Sequence, residues 1–279
     1  MNVPGTEGLS ERTRENQRQF DRVAEDFYSK PLSFFETLGA GLVNAVGVRP
    51  DDHVLDLACG AGALTLPAAR LVGRRGRVLG VDISRAMTEV TARRSRNEGL
   101  DWVAVRQAAI ERLELGERFD LALCGFAVHH FDDPATVPRT IARHLKPRGR
   151  WGLSLWAERS WEPHRPVFNR VVSKVRPDLA TGPGGSARLQ ERGAIEAIAR
   201  EAGLRVGSVR PQRLEHVLED FDSYWHLVMT SGGRSVLSKL SPEEQLAVCD
   251  ELRVAIGPYC DHGGRLTLSM DAVYVIGTS

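Results

Sequence analysis

The chain predicts an α/β protein, a mostly parallel sheet with helices on both faces, on three observations. Short leucine-rich and β-branched runs alternate with stretches of helical periodicity between His53 and Trp156, the order that parallel strands and their crossovers require. Val54-Leu55-Asp56-Leu57 runs straight into Ala58-Cys59-Gly60-Ala61-Gly62 before Ala63-Leu64-Thr65-Leu66 resumes a helical pattern. That is a buried strand, a tight turn and a helix start. Small residues there admit a ligand close to the backbone, and the first N–H groups of the helix are unpaired. A second acid, Asp82, ends the next apolar run, Val78-Leu79-Gly80-Val81. It follows the turn by roughly twenty residues, where a nucleoside ribose needs a carboxylate.

In chain order, residues 1–19 are polar and read as a flexible N-terminus. Phe20, Val23, Phe27, Phe34, Phe35, Leu38, Leu42 and Val46 recur at helical spacing and predict two amphipathic helices about Lys30-Pro31. Strands are expected near 53–57, 77–82, 101–105, 119–124 and 149–156, so that residues 20–156 hold the N-terminal helices and the ligand-binding core. Beyond Trp156 the periodicity changes. Pro163, Pro166, Pro177 and the run Thr181-Gly182-Pro183-Gly184-Gly185 mark 157–188 as an insertion with one short helix near 166–175. Residues 189–218 return to the core as a helix ending at Gly203 and a strand over 204–218. Residues 219–262 carry two helices, the second with Ser241 as N-cap and Pro242 in its first turn. Residues 263–279 form an extended final strand. The two insertions then make a split helical lid over the carboxyl edge of the strands, where open α/β sheets bind ligands.

Composition narrows the partners. A formal net charge of +1 supplies no drive toward nucleic acid. The arginines at 70–77 and at Arg93, Arg94 and Arg96 read as solvated surface. No apolar run reaches membrane-spanning length, and no signal-peptide pattern opens the chain. Cys59, Cys124, Cys249 and Cys260 lack Cys-x-x-Cys spacing, which points to reduced thiols in a cytoplasmic protein. No His/Cys/Asp cluster has metal-ligand spacing, so no metal is expected.

The turn itself separates ligand classes. A pyrophosphate cradle needs Gly-x-Gly-x-x-Gly, whereas Ala58 takes the first of those positions and Thr65 the third. Asp56, just before the turn, would repel a pyrophosphate and attract a cation. A ribose-bearing ligand with a positive end fits better than a dinucleotide, which disfavours a dinucleotide-dependent oxidoreductase.

Further along stand Phe119-Asp120-Leu121-Ala122-Leu123-Cys124, then Ala127-Val128-His129-His130-Phe131-Asp132-Asp133, then Ile141 to Arg150 with its Lys146-Pro147-Arg148-Gly149 turn. With Val54–Gly62 and Asp82, these motifs make the chain resemble the class I S-adenosylmethionine-dependent methyltransferases, near the quinone-biosynthesis and natural-product group. The resemblance covers residues 20–155 well and the rest loosely. It implies a Rossmann-like seven-stranded sheet whose last two strands form a hairpin-like addition. S-adenosyl-L-methionine would be the cofactor and S-adenosyl-L-homocysteine its product, in a monomer or homodimer. Asp56 and the backbone through Ala58, Gly60 and Gly62 would hold the methionine part, with Cys124 ending the fourth strand beside it. Asp82 would take the ribose hydroxyls, and Ile83 would pack on adenine. Ala109 stands where the family commonly has an Asp for the adenine amino group, leaving the Ile110 N–H and apolar packing. Arg148 at the third position of the Lys-Pro turn suits a type I turn rather than type II. A cyclase that keeps the cofactor as scaffold is the alternative, since fold does not fix reaction.

Methyl transfer to oxygen or nitrogen also releases a proton, which a neutral histidine can take near pH 7. His129 and His130 follow the fourth strand at the reacting edge; His129 is the candidate base, and His130 is expected chiefly to pack. His164 and His226 are alternatives from the lid. Trp156, Trp161, Tyr224, Trp225 and Met229, joined by Tyr28 from the N-terminal part, suggest a small, flat or apolar acceptor. Basic residues are not interleaved with these rings, as a nucleic-acid site would require.

Overall fold

The computed structural model describes residues 8–27, 29–179 and 193–279. Its centre is a strand–turn–helix series: β1 (His53–Leu57), α3 (Thr65–Val72), β2 (Arg77–Asp82), α4 (Arg85–Asn97), β3 (Val103–Gln107), β4 (Phe119–Gly125), α5 (Thr136–His144) and β5 (Leu145–Trp156). Ahead of them come α1 (Glu11–Val23) and α2 (Phe34–Val46). After them come α6 (His164–Val175), α7 (Ala194–Glu201), β6 (Arg205–Gln212), β7 (Glu215–Leu218) and α8 (Phe221–Thr230). The chain ends with α9 (Arg234–Leu237), α10 (Pro242–Ile256), β8 (Leu266–Ser269) and β9 (Ala272–Thr278).

Seven strands form one sheet in the order β3-β2-β1-β4-β5-β9-β6. The first five run parallel, and β9 is antiparallel to both β5 and β6. The strand order reverses between β1 and β4, so the crevice at their carboxyl ends is where such a sheet accepts a ligand. Alternation along the buried strands feeds two cores. Val54, Leu121 and Leu123 pack with α2 and α3 on one face, while Leu55, Leu57 and Ala122 pack with Val137 and Ile141 of α5 and Ile195 of α7 on the other. Gly39 of α2 is there for close approach: a Cβ would come within 2.3 Å of the Ala63 carbonyl oxygen. The helix therefore lies directly on the glycine turn.

The lid is not a separate body. Phe168 of α6, Tyr224, Leu227 and Val228 of α8 and Leu252 of α10 belong to the same apolar cluster as α2 and the sheet. Ser241 caps α10 in a full capping box with Glu244.

Three expectations need correction. Residues 11–19, expected within a flexible N-terminus, belong to a helix that runs to Val23, with Ser10 accepting from the Thr13 amide as N-cap. The sequence there is charged all round, and the helix is held by tertiary contacts: Glu25 pairs with Arg93, and Asp21 Oδ1 accepts from Ser84 Oγ at 2.6 Å and the Ala86 amide at 3.2 Å. The strands expected over 204–218 and 263–279 each break in two. β7 and β8 leave the main sheet and pair with one another. The breaks meet in space: the Leu214 amide donates to Asp271 Oδ1, and the Met270 amide to the Leu214 carbonyl. Arg148 does not adopt a type I turn either; its φ of 61° is the left-handed conformation of the glycine usual at that position.

Candidate active site

Ala58 and Gly60 take φ values of 55° and 52°, turning the chain sharply off β1 so that residues 58–61 present backbone to a cavity of about 490 Å³. Beside them lies Asp82, 7 % exposed at the end of β2. Its Oδ2 accepts from the Gly60 amide at 2.9 Å and its Oδ1 from the Ser84 amide at 2.8 Å. Burial pushes this carboxyl up to about 6, against the pull of those amides. Ile83, Met87 and Ile110 form an apolar slot next to it. Asp82 is a preset acceptor of the kind a ribose hydroxyl needs, and the slot is an apolar wall of the kind an adenine ring needs. The residues present fit the nucleoside part of S-adenosylmethionine.

Asp56 corrects the expectation placed on it. It is fully buried behind the turn, does not reach the cavity wall, and accepts from Thr65 Oγ1 at 2.6 Å. Its Oδ1 has no partner, and burial pushes its carboxyl to about 7. The first turn of α3 captures the side chain, so Asp56 ties strand to helix rather than gripping a cation. Gly62, Ala109 and Cys124 likewise sit behind the wall, Ala109 and Cys124 in buried positions of the core.

Some contributors were missed. One face of α1, with Thr13, Asn16, Gln19 and Phe20, runs along the cavity. Its spacing is helical, but the residues between are so charged that no apolar stripe shows. Glu111 reaches the wall two residues beyond Ala109 and accepts from Thr13 Oγ1 at 3.2 Å. Arg94, expected as solvated surface, is tucked under the turn, where it pairs with Glu36 and donates to the Ala61 carbonyl at 2.7 Å.

His129 and His130 form a helical turn after β4, and both line the cavity. Arg12 and Asn16 of α1 donate to their carbonyl oxygens at 2.6 and 3.0 Å, and Phe20 meets the His130 ring edge-on. Burial above all, then the Arg12 and Arg165 guanidinium groups, pushes His129 down to about 4. Its Nδ1 is buried with no hydrogen-bond partner. His129 is therefore neutral at pH 7, with one polar atom unfilled.

Past these histidines the cavity widens into an aromatic chamber. Trp156 stacks on Phe126 at 4.1 Å, and Trp161, Phe27, Phe35 and Phe168 complete its rings. His164 lines it too, sharing a 2.8 Å hydrogen bond between its Nδ1 and the Tyr224 hydroxyl. The expected contributions from α8 are not on the wall. Tyr224 is wholly buried behind His164, His226 Nε2 bonds Ser29 Oγ at 3.1 Å, and Trp225 and Met229 pack on the apolar core. Instead the chain just after α8, Ser231 to Val236, closes the chamber. Tyr28 lies outside the described residues.

With this geometry in place, the comparisons decide the family. Residues 54–149 match the family model described as a methyltransferase domain. The chain is 30 % identical over 272 residues to nocamycin O-methyltransferase of Saccharothrix syringae, covering 92 % of this chain and 96 % of that protein. The chain belongs to the S-adenosylmethionine-dependent methyltransferases. This methyltransferase is also 35 % identical to the 2-phytyl-1,4-naphtoquinone methyltransferase of Synechococcus elongatus, across 44 % of this chain and 53 % of that one. Among solved structures, the YcgJ protein of Bacillus subtilis aligns at TM-score 0.56 with 22 % identity, over 87 % of this chain and 98 % of that one. The cyclase SpnF aligns at TM-score 0.55 with 17 % identity over 88 % of this chain and 80 % of its own. The sheet alone thus does not separate transferase from cyclase; the near full-length sequence match to a methyltransferase does. Among the described residues of the methyltransferase, no helix is long and apolar enough to cross a membrane.

Proposed function

We propose that this methyltransferase methylates a small, largely apolar, natural-product-like acceptor held in the aromatic chamber. One observation carries the reading: a single cavity runs from Asp82 and Ile83, past His129, to Trp156, Trp161 and Phe168. A nucleoside at one end and a flat acceptor at the other would then meet beside His129. Supporting it, a relative that matches nearly the whole chain is named as an O-methyltransferase of nocamycin.

Bound S-adenosylmethionine would supply an electrophilic methyl group on a sulfonium sulfur. The chain does the rest. Asp82 accepts from the ribose, Ile83 and Ile110 hold adenine, and Glu111 is placed to accept from its amino group in place of the missing Asp at Ala109. The turn at Ala58–Ala61 offers backbone to the methionine part. α1 closes over the cavity and excludes water, which strengthens every polar contact inside. His129 Nδ1 can hold the acceptor's reacting atom by a hydrogen bond, or take its proton if that atom is acidic enough for so weak a base. His130 serves as packing against α1. A cytoplasmic monomer or homodimer with reduced thiols completes the proposal; all four cysteines are unpaired.

Titration calorimetry with S-adenosylhomocysteine and with NAD tests the cofactor end, and heat with NAD alone would overturn it. Incubation with methyl-labelled cofactor and apolar hydroxy or carboxylic acids tests transfer. His129→Ala should lower the rate without changing S-adenosylhomocysteine affinity; an unchanged rate removes His129 from the mechanism.

A further inference from the structure

Arg165 occupies a place that stability does not explain. It is the second residue of α6, where the helix dipole is positive and the first turn carries no acid. A cation there works against the dipole. The side chain lines the chamber half-buried, and burial lowers its pKa. Among the described residues no carboxylate forms a contact ion pair with it: Glu162 attracts it from a distance while bridged to Arg159 at 3.2 Å. The wall's own carboxylates are taken at the other end of the cavity: Asp82 by two amides, Glu36 by Arg94 and Glu111 by Thr13.

On the chamber side of Arg165 the polar neighbours are the neutral rings of His129 and His164. Arg165, His129 and His164 line the same cavity, and His129 Nδ1 has no partner. Asn169, one turn along α6, reaches the same wall. A half-buried guanidinium among rings suits a planar anionic partner, since its fork matches a carboxylate or enolate edge.

We propose that Arg165 is a specificity-determining residue that binds an acidic oxygen of the acceptor, so that the substrate class is an apolar organic acid: a carboxylate, enolate or phenolate on a hydrophobic body. This rests on the methyltransferase reading above and narrows it. A carboxylate arrives ionised, whereas an enol or phenol would first release its proton to solvent, the anion being favoured by the Arg165 cation. The anionic oxygen would then take the methyl group from bound S-adenosylmethionine, the electron pair of the broken carbon–sulfur bond staying on sulfur, with no proton left to remove in that step. The weak basicity of His129 then ceases to be a handicap.

The test uses the full chain saturated with S-adenosylhomocysteine. Calorimetry would compare 2-naphthoate, 4-phenylbenzoate and dodecanoate with their uncharged primary amides. The wild type should bind at least one acid tenfold or more tighter than its amide. Arg165→Gln should abolish that preference, and Arg165→Lys should keep part of it. S-adenosylhomocysteine affinity should be the same in all three proteins, which shows that the variants are folded. Equal binding of acid and amide by the wild type, binding of neither in every pair, or a preference surviving in Arg165→Gln would each overturn the proposal. Absence of S-adenosylhomocysteine binding would instead defeat the cofactor reading; the acid preference, measured on the unliganded chain, would still decide Arg165.

Discussion

The two ends of the cavity are built on opposite plans. At the cofactor end, Asp82 is held by the amides of Gly60 and Ser84, on a continuous strand–turn–helix series. At the acceptor end, rings come from residues as far apart as Phe27, Phe126, Trp156 and Phe168, with the segment after α8 closing the wall. Backbone groups recognise what is common to one cofactor; side chains on separate elements can change without disturbing that grip. The ends also differ in charge, with buried carboxyls at one and histidines and Arg165 at the other.

That difference sets opposite responses to pH. His164 is 6 % exposed and lies at about 4 in the folded chain, held down by burial and then by Arg165. Its folded pKa is below its unfolded one near 6.5, so its contribution is intact above about 6.5 and is lost as pH falls toward 4. The loss should approach 3 kcal/mol, at about 1.4 kcal/mol per unit. Urea unfolding at pH 7 and pH 4.5 measures it, and His164→Gln should shrink the difference. Asp82 runs the other way: its folded pKa of about 6 exceeds its unfolded value, so its contribution is present at low pH and is lost as pH rises through 6. The ribose contact proposed for it needs the charged form, so S-adenosylhomocysteine affinity should weaken from pH 7 to pH 5. A flat profile would show that the carboxylate does not meet the ribose.

A direct break of the cofactor end comes next. Asp82→Ala should weaken S-adenosylhomocysteine by roughly 1–3 kcal/mol, the worth of charge-assisted hydrogen bonds. The near-ultraviolet dichroism of Trp156 and Trp161 should not move; if it does, the ends are not independent. Smaller still, Asp21→Ala unclips α1 from α4 and should cost cofactor binding about 1 kcal/mol through two lost hydrogen bonds. Unchanged affinity would mean that α1 merely covers the site. Least of all, Tyr224→Phe removes one hydrogen bond to His164, lowering stability by about 0.5–1.5 kcal/mol. Cofactor affinity should be untouched, and any loss there would join the lid to the nucleoside end.

Much of the frame was legible beforehand. The expected strands at 53–57 and 77–82 match β1 and β2 residue for residue, because largely buried parallel strands read as apolar runs with sharp ends. The place of the glycine turn and the second acid followed from the same signal. Misreadings cluster where one pattern has two outcomes. Asp56 and Asp82 both stand near the carboxyl ends of apolar strands, and Asp56 is the one that Thr65 of α3 holds behind the turn. The apolar residues of α8 spell a helix, but which rings line the chamber and which back it depends on where that helix docks. Arg94 and Arg165 look in sequence like any surface arginine, since burial of a long cation is set by its neighbours and not by its own type.

Periodicity and small-residue turns thus settled the layers of this methyltransferase, the ends of β1 and β2, and the place of the glycine turn and Asp82, all products of short-range geometry. Which carboxylate faces the cavity, which helix roofs it and which cation waits at its far end came from contacts between segments distant in the chain. Local pattern specifies which face of an element is apolar; only packing chooses what that face meets.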